Sequence, residues 1–206
     1  MVGQELDLDG TAVVTLEEYK NKMQEVAATY GKFDRGQKYV RKWDYYLKEK
    51  QFVLEKCNLE GIHTALDIGT GVGMIPFLLL QKGIKTAGTD LEDGMYKDCC
   101  DVLGFHRFQL EILPQQSMNI SYYDLIIATR TEFDRQFTCE SAWIYFLEDA
   151  MQSCKRLFLK LNCSGHTPGH VPVWIKEKYM FYPKLGKPYR AWYLQIDSAQ
   201  WQQDNA

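Results

Sequence analysis

Long hydrophobic runs are missing from this sequence. No apolar stretch approaches the roughly 20 residues of a membrane helix, so no membrane partner is expected. A paired-cysteine pattern is missing too. The 6 cysteines (Cys57, Cys99, Cys100, Cys139, Cys154 and Cys163) include no C-x-x-C, and the adjacent Cys99 and Cys100 are a poor disulfide pair. The opening MVGQELDLDG has no cationic stretch followed by an apolar one. Free thiols and a cytoplasmic location are therefore expected. Histidine is scarce, at 4 residues. His166 and His170 have H-x3-H spacing, but they lie in the Gly/Pro segment GHTPGH, where no helix would hold them on one face; no metal is expected. A large excess of one charge is also absent: 24 basic against 27 acidic side chains leave −3. What is present is ordinary for a globular chain, with 206 residues, 46% hydrophobic and 25% charged. That suffices for one full core plus a small extension.

The charge is unevenly spread. Residues 1–31 carry net −4, residues 32–56 net +4, residues 57–154 net −8 and residues 155–206 net +5. Basic flanks around an acidic centre are either solvated faces or a positive rim that would attract an anionic acceptor.

Periodicity divides the chain. Thr15 followed by Glu18 is a capping-box pattern, and a helix is expected from there to about Thr29. A second helix is expected over Asp34–Cys57, with Tyr39, Trp43, Tyr46 and Leu47 on one face. Residues 1–60 are thus expected to form a helical cap, and residues 61–206 the main domain. From Thr64 onward strands and helices alternate. Strands are expected at Thr64–Ile68, Lys85–Thr89, His106–Leu113, Tyr123–Thr129 and Arg156–Leu161. Helices are expected at Met74–Lys82, Asp93–Leu103 and Cys139–Ser153. Trp174–Ile196, aromatic and polar by turns, predicts two antiparallel strands. The fold class expected is α/β: a Rossmann-like open sheet, mostly parallel, with a C-terminal antiparallel hairpin, helices on both faces and an N-terminal helical extension.

The informative stretch is Ala65-Leu66-Asp67-Ile68-Gly69-Thr70-Gly71-Val72-Gly73. A strand runs into glycines and then into a helix, which suits a nucleotide-like ligand at the first crossover. The G-x-G-x-G spacing departs from the dinucleotide fingerprint, and no lysine follows as a P-loop requires. Asp67, two residues before the first glycine, would repel a pyrophosphate but suits a cation. S-adenosylmethionine carries an ammonium and a sulfonium and no phosphate. Asp90 ends the second strand, where a carboxylate can accept two hydrogen bonds at once.

Over Thr64–Leu161 the sequence resembles the class I S-adenosylmethionine-dependent methyltransferases. The resemblance implies that Asp67, Gly69, Thr70, Gly71 and Gly73 line the cofactor and that Asp90 grips its ribose hydroxyls. It implies that a side chain after the third strand meets the adenine; Gln115 and Gln116 stand there, where the family often has an acid. An Asn/Asp-Pro-Pro-Tyr/Phe run after the fourth strand is absent, as is the Pro-Cys that would partner Cys163 in RNA 5-methylcytosine chemistry. Lys160 lacks the aspartate partner of a ribose-methylating tetrad. Candidate general bases are Glu132, His166 and His170. Arg130 is placed to hold an acceptor carboxylate or phosphate. Tyr30 and Trp43 are candidate acceptor contacts from the helical segment, against packing of that segment onto the sheet.

The function expected is methyl transfer to a small-molecule acceptor, with an anionic one suggested by the basic flanks. The alternatives are an RNA methyltransferase, encouraged by 8 aromatics between Trp174 and Trp201, and an inactive cofactor-binding protein of the same fold. The acceptor and the oligomeric state are not legible.

Overall fold

The computed structural model describes residues 14–91, 93–129, 131, 133–161, 170–182 and 191–205. They divide into two compact units, with the boundary after Gln109.

The first unit opens with α1 (Leu16–Ala28), whose capping box is made: the Thr15 amide donates to Glu18 and the Glu18 amide to the Thr15 hydroxyl. Two helices follow, α2 (Gln37–Arg41) and α3 (Trp43–Lys56). Then come β1 (Thr64–Ile68), α4 (Met74–Leu80), β2 (Lys85–Asp90), α5 (Met95–Leu103) and β3 (Arg107–Gln109). β2 pairs in parallel with β1 and with β3, and Asp67 lies opposite Gly88 in that register. The helices share one core. Tyr19 and Met23 of α1, Trp43 of α3, Phe77 of α4 and Met95 and Cys99 of α5 are all buried together. Tyr19 stacks on Phe77 at 4.3 Å and meets Trp43 edge-on at 4.9 Å.

The second unit holds β4 (Tyr123–Thr129), α6 (Glu140–Ser153), β5 (Cys154–Leu161), α7 (Val173–Tyr179), β6 (Met180–Phe181), β7 (Trp192–Asp197) and α8 (Ser198–Asp204). β4 and β5 are parallel; β7 runs antiparallel to β5 and to β6. α6 buries Trp143, Phe146 and Leu147, and Phe137 meets Trp143 edge-on at 5.2 Å. Arg156 of β5 pairs with Asp197 at the end of β7. The seven strands, mostly parallel with a C-terminal antiparallel pair, make the α/β Rossmann-like class expected from the sequence.

Four elements differ from expectation. The helix expected over Asp34–Cys57 is broken at Lys42, whose φ of −117° and ψ of 40° are not helical. A one-residue break leaves the apolar spacing nearly intact, and no Gly or Pro marks it. The strand expected over His106–Leu113 is cut to Arg107–Gln109, because only those residues pair with Gly88–Asp90; Ile112 is buried by packing instead. The first aromatic stretch, expected as a strand, is α7: Pro172 precedes it, and Ile175 and Tyr179, four apart, are its buried residues. The chain then adds α8, which the sequence reading did not anticipate. Pro183–Gly186–Pro188, read as a loop, lies outside the described residues. No helix among the described residues is long and apolar enough to cross a membrane.

Candidate functional site

β1 delivers Asp67 and then the glycine loop. The amides of Gly69 and Thr70 both donate to the Thr89 carbonyl at the end of β2, at 2.9 and 2.8 Å. This splices the start of the loop onto the neighbouring strand. The Thr70 hydroxyl turns back and donates to the Asp67 carbonyl at 2.8 Å. Gly71 and Gly73 both have positive φ, 57° and 88°. At Gly73 the constraint is double, since a Cβ there would also sit 2.9 Å from Phe105. Gly88, beneath the loop on β2, admits no side chain either: its Cβ would fall 2.3 Å from the Thr70 hydroxyl oxygen.

Two carboxylates face this loop's chemistry from the strand ends. Asp67 is buried, at 1% exposure, and its Oδ1 has no hydrogen-bond partner among the described residues. Burial pushes its carboxyl up to about 7, opposed by the charge of Lys50 on α3, with Asp90 adding to the rise. Asp90 is half-buried and well connected. Its Oδ2 accepts the Gly71 amide and its Oδ1 the Leu91 amide, each at 2.8 Å. Each oxygen keeps a second lone pair for a ligand hydroxyl. Asp90 therefore joins the end of β2 to the middle of the glycine loop. The Thr89 hydroxyl, buried beside it, is a second unpartnered polar atom among the described residues.

Helices hold the back of the loop. The Tyr19 hydroxyl of α1 donates to the Val72 carbonyl at 3.1 Å, and the Cys100 thiol of α5 lies 3.5 Å from the Gly71 carbonyl. Burial pushes both the Tyr19 phenol and the Cys100 thiol up, so each keeps its proton and remains a donor. The ring end of Tyr39 lies 3.9 Å from the position of a Gly71 Cβ. Tyr39 packs against Tyr46 at 4.6 Å and Tyr96 at 6.2 Å. Tyr96 also lines a cavity of about 330 Å³ with Phe33, Asp34, Arg35, Asp93 and Met95. Motif reading did not single out Tyr19, Cys100 or Lys50.

The residues expected to bind cofactor divide. Asp67, Gly69, Thr70, Gly71, Gly73 and Asp90 converge on one loop. Gln115 and Gln116 are exposed in the second unit; Gln115 has a φ of 57° and its side chain donates to Ser141. Of the candidate acceptor contacts, Tyr30 is half-buried and its hydroxyl donates to Asp98 at 2.6 Å, which pushes the phenol up to about 12. Trp43 is buried in the helical core at 5% exposure. His170 is exposed, with a φ of 60°. Arg130, Glu132, Cys163 and His166 lie outside the described residues.

No protein-family model matches the chain, and no curated protein matches its sequence. Solved structures do share its fold. It is similar to the magnesium protoporphyrin IX methyltransferase of Synechocystis PCC 6803, solved with bound S-adenosylmethionine, with a TM-score of 0.51 at 15% identity over 89% of this chain and 91% of that one. It is similar to phosphoethanolamine N-methyltransferase 1 of Haemonchus contortus, solved with phosphoethanolamine and S-adenosylhomocysteine, with a TM-score of 0.56 at 13% identity over 89% of this chain and 50% of that one. A TehB-like S-adenosylmethionine-dependent methyltransferase of Corynebacterium glutamicum gives a TM-score of 0.50 at 13% identity, over 79% and 97%. The chain spans about half the length of some of the structures it matches. At these identities the likeness is one of fold, and the chain has the class I methyltransferase fold.

Proposed function

We propose that this protein is an S-adenosylmethionine-dependent methyltransferase acting on a small molecule. One observation carries the reading: a glycine loop tied through Gly71 to the Asp90 carboxylate, with the buried, half-satisfied Asp67 on the strand that leads into it. These residues fit that cofactor. A buried carboxylate oxygen without a donor suits an ammonium. Asp90 has lone pairs left for two ribose hydroxyls. Nothing in the loop supplies the lysine that a polyphosphate would need. The two neighbours solved with S-adenosylmethionine or its demethylated product add weight.

When bound, the cofactor supplies a methyl group on a sulfonium, already activated for in-line displacement. The chain's own work is to bind and orient. Asp90, held in place by the Gly71 amide, would hold the ribose end, Asp67 would hold the amino acid end, and the Tyr19 and Cys100 donors brace the loop through the Val72 and Gly71 carbonyls. Holding two reactants in line is the main rate contribution such a site can make. Glu132, His166 and His170 are proposed to take the acceptor's proton, and Arg130 and Tyr30 to contact the acceptor. The N-terminal 60 residues are proposed to cap the cofactor, with Trp43 acting through packing.

The neighbours named above act on a magnesium porphyrin and on phosphoethanolamine, so the fold itself selects no acceptor. The cavity lined by Arg35 and Tyr96 favours a metabolite by its size. Titration calorimetry with S-adenosylmethionine, S-adenosylhomocysteine and NAD tests the cofactor. Binding of the first two without NAD is expected; preference for NAD overturns the reading. Methyl turnover against a metabolite panel separates an enzyme from an inactive cofactor binder. RNA binding that persists as salt rises, with methyl transfer to that RNA, would favour the RNA alternative.

A further inference from the structure

Arg107 opens β3, and its side chain is only 4% exposed. Burying a guanidinium is costly unless it is paired, and an apolar side chain would fill the same space without that cost. The Arg107 Nη1 donates to Asp93 Oδ1 at 3.0 Å. Asp93 is 57% exposed and stands in the short connection between β2 and α5, three residues after Asp90. The pair therefore ties the start of β3 to the connection that leaves Asp90.

The register relates the same side chain to the cofactor loop. Arg107 lies opposite Gly88, and Asp90 is two residues further along β2, so Arg107 and Asp90 belong to one face of the sheet. The Arg107 charge also acts on the Cys100 thiol of α5, where it opposes the rise that burial causes. Cys100 is the residue that lies against the Gly71 carbonyl. Asp90 Oδ1 accepts the amide of Leu91, the first residue of the connection. The path of that connection thus helps to set how the Asp90 carboxylate is turned. Asp93 pins the connection near its far end, just before Gly94, whose φ of 82° leads into α5.

We propose that Arg107 is a positioning residue: by holding Asp93 it fixes the connection after β2, and with it the orientation in which Asp90 meets the ribose hydroxyls of the cofactor. This rests on the cofactor reading above. The loss expected on breaking the pair is specific. The glycine loop and Asp67 stay as they are, and only the part of the affinity that depends on the two hydroxyls weakens.

The test is calorimetry with S-adenosylhomocysteine and with its analogue lacking both ribose hydroxyls, on the wild type and on Asp93→Ala, Arg107→Met and Arg107→Lys. The wild type is expected to prefer the hydroxylated ligand at least about tenfold. Asp93→Ala and Arg107→Met are expected to cut that preference by about threefold to tenfold. Arg107→Lys keeps a cation that can still reach Asp93 and is expected to retain more of it than Arg107→Met. Asp93 is exposed, so Asp93→Ala carries the test if a buried Arg107 variant fails to fold. A preference unchanged in Asp93→Ala overturns the proposal, as does an equal loss for both ligands or a lysine variant no better than the methionine one; the cofactor reading survives each of these. A wild type that binds S-adenosylhomocysteine without preferring the hydroxyls also overturns it, since Asp90 then has no ribose to hold. If the wild type binds neither ligand, the cofactor reading itself fails and takes the proposal with it.

Discussion

At Asp67 the protein holds a carboxyl where burial resists its charge, and the consequence is a pH dependence with a definite sign. The free carboxyl titrates at 3.8 and the folded one at about 7, so the native state binds more protons between them. The cost of ionising Asp67 is therefore absent below the lower value, grows as pH rises, and is complete above about 7. Asp67→Asn should stabilise the protein relative to wild type at about pH 8 and lose that advantage by about pH 4, as read by urea denaturation. The same variant should bind S-adenosylmethionine more weakly at about pH 8, with the difference shrinking toward about pH 4, where the wild-type carboxyl is itself neutral. A stability difference constant with pH would show that a firm partner holds Asp67 ionised. Asp90 works differently, since each of its oxygens accepts one amide, from Gly71 or Leu91, and keeps a lone pair for a ligand hydroxyl. Asp90→Ala should lower cofactor affinity at least about tenfold, because hydrogen bonds to a charged acceptor contribute roughly 1.5–3 kcal/mol each; calorimetry on the folded variant decides. Tyr19→Phe removes only the hydroxyl that holds the Val72 carbonyl, leaving the stack on Phe77. It should weaken cofactor binding more than its small loss of thermal stability explains.

Among the elements, α1 matters more than a terminal helix usually does. It contributes Tyr19, Met23 and Ala27 to the core that also contains Phe77, Met95 and Cys99. Met23 is fully buried, so Met23→Ala should cost about 2–5 kcal/mol in a denaturation experiment. A cost below about 1 kcal/mol would mean that α1 docks loosely. The junction between β2 and the glycine loop is equally constrained. Gly88→Ala would drive a methyl into Thr70 and Phe105, neither of which is free to retreat in a packed strand–loop contact. Loss of both stability and cofactor binding is expected there. The break at Lys42 shows how little sequence signal an element boundary needs. Trp43 restarts the helix and is buried against Tyr19, so packing sets the boundary that local preference leaves open.

For the whole molecule, a net charge of −3 gives no general attraction to a polyanion. Residues 32–56 and 155–206 carry the basic excess, net +4 and +5, and on the proposed function the expected acceptor is an anionic small molecule. Turnover should then be found among carboxylate- or phosphate-bearing metabolites, with weak RNA binding that vanishes as salt rises. Tight, salt-tolerant RNA binding would reverse that order.

Local chemistry was enough to read β1, the glycine loop and the helix after it. Asp67, Gly71, Gly73 and Asp90 form a pattern whose meaning is set by residue type and short spacing, and strand alternation placed β1, β2, β4 and β5 close to their observed bounds. The length of the third strand and the first part of the aromatic segment were misjudged, because a few alternating residues satisfy strand and helix alike, while the antiparallel pair that follows was read correctly. Pairing with Gly88–Asp90 and burial of Ile175 and Tyr179 decided them. The supports of the loop were illegible for a stronger reason. Tyr19 and Val72 are 53 residues apart, and Cys100 and Gly71 are 29 apart. Contacts at such separations leave no periodic trace in the chain. Only tertiary packing brought Tyr19, Tyr39, Lys50 and Cys100 to the glycine loop, because their positions follow from which helices share a core and not from their neighbours in sequence.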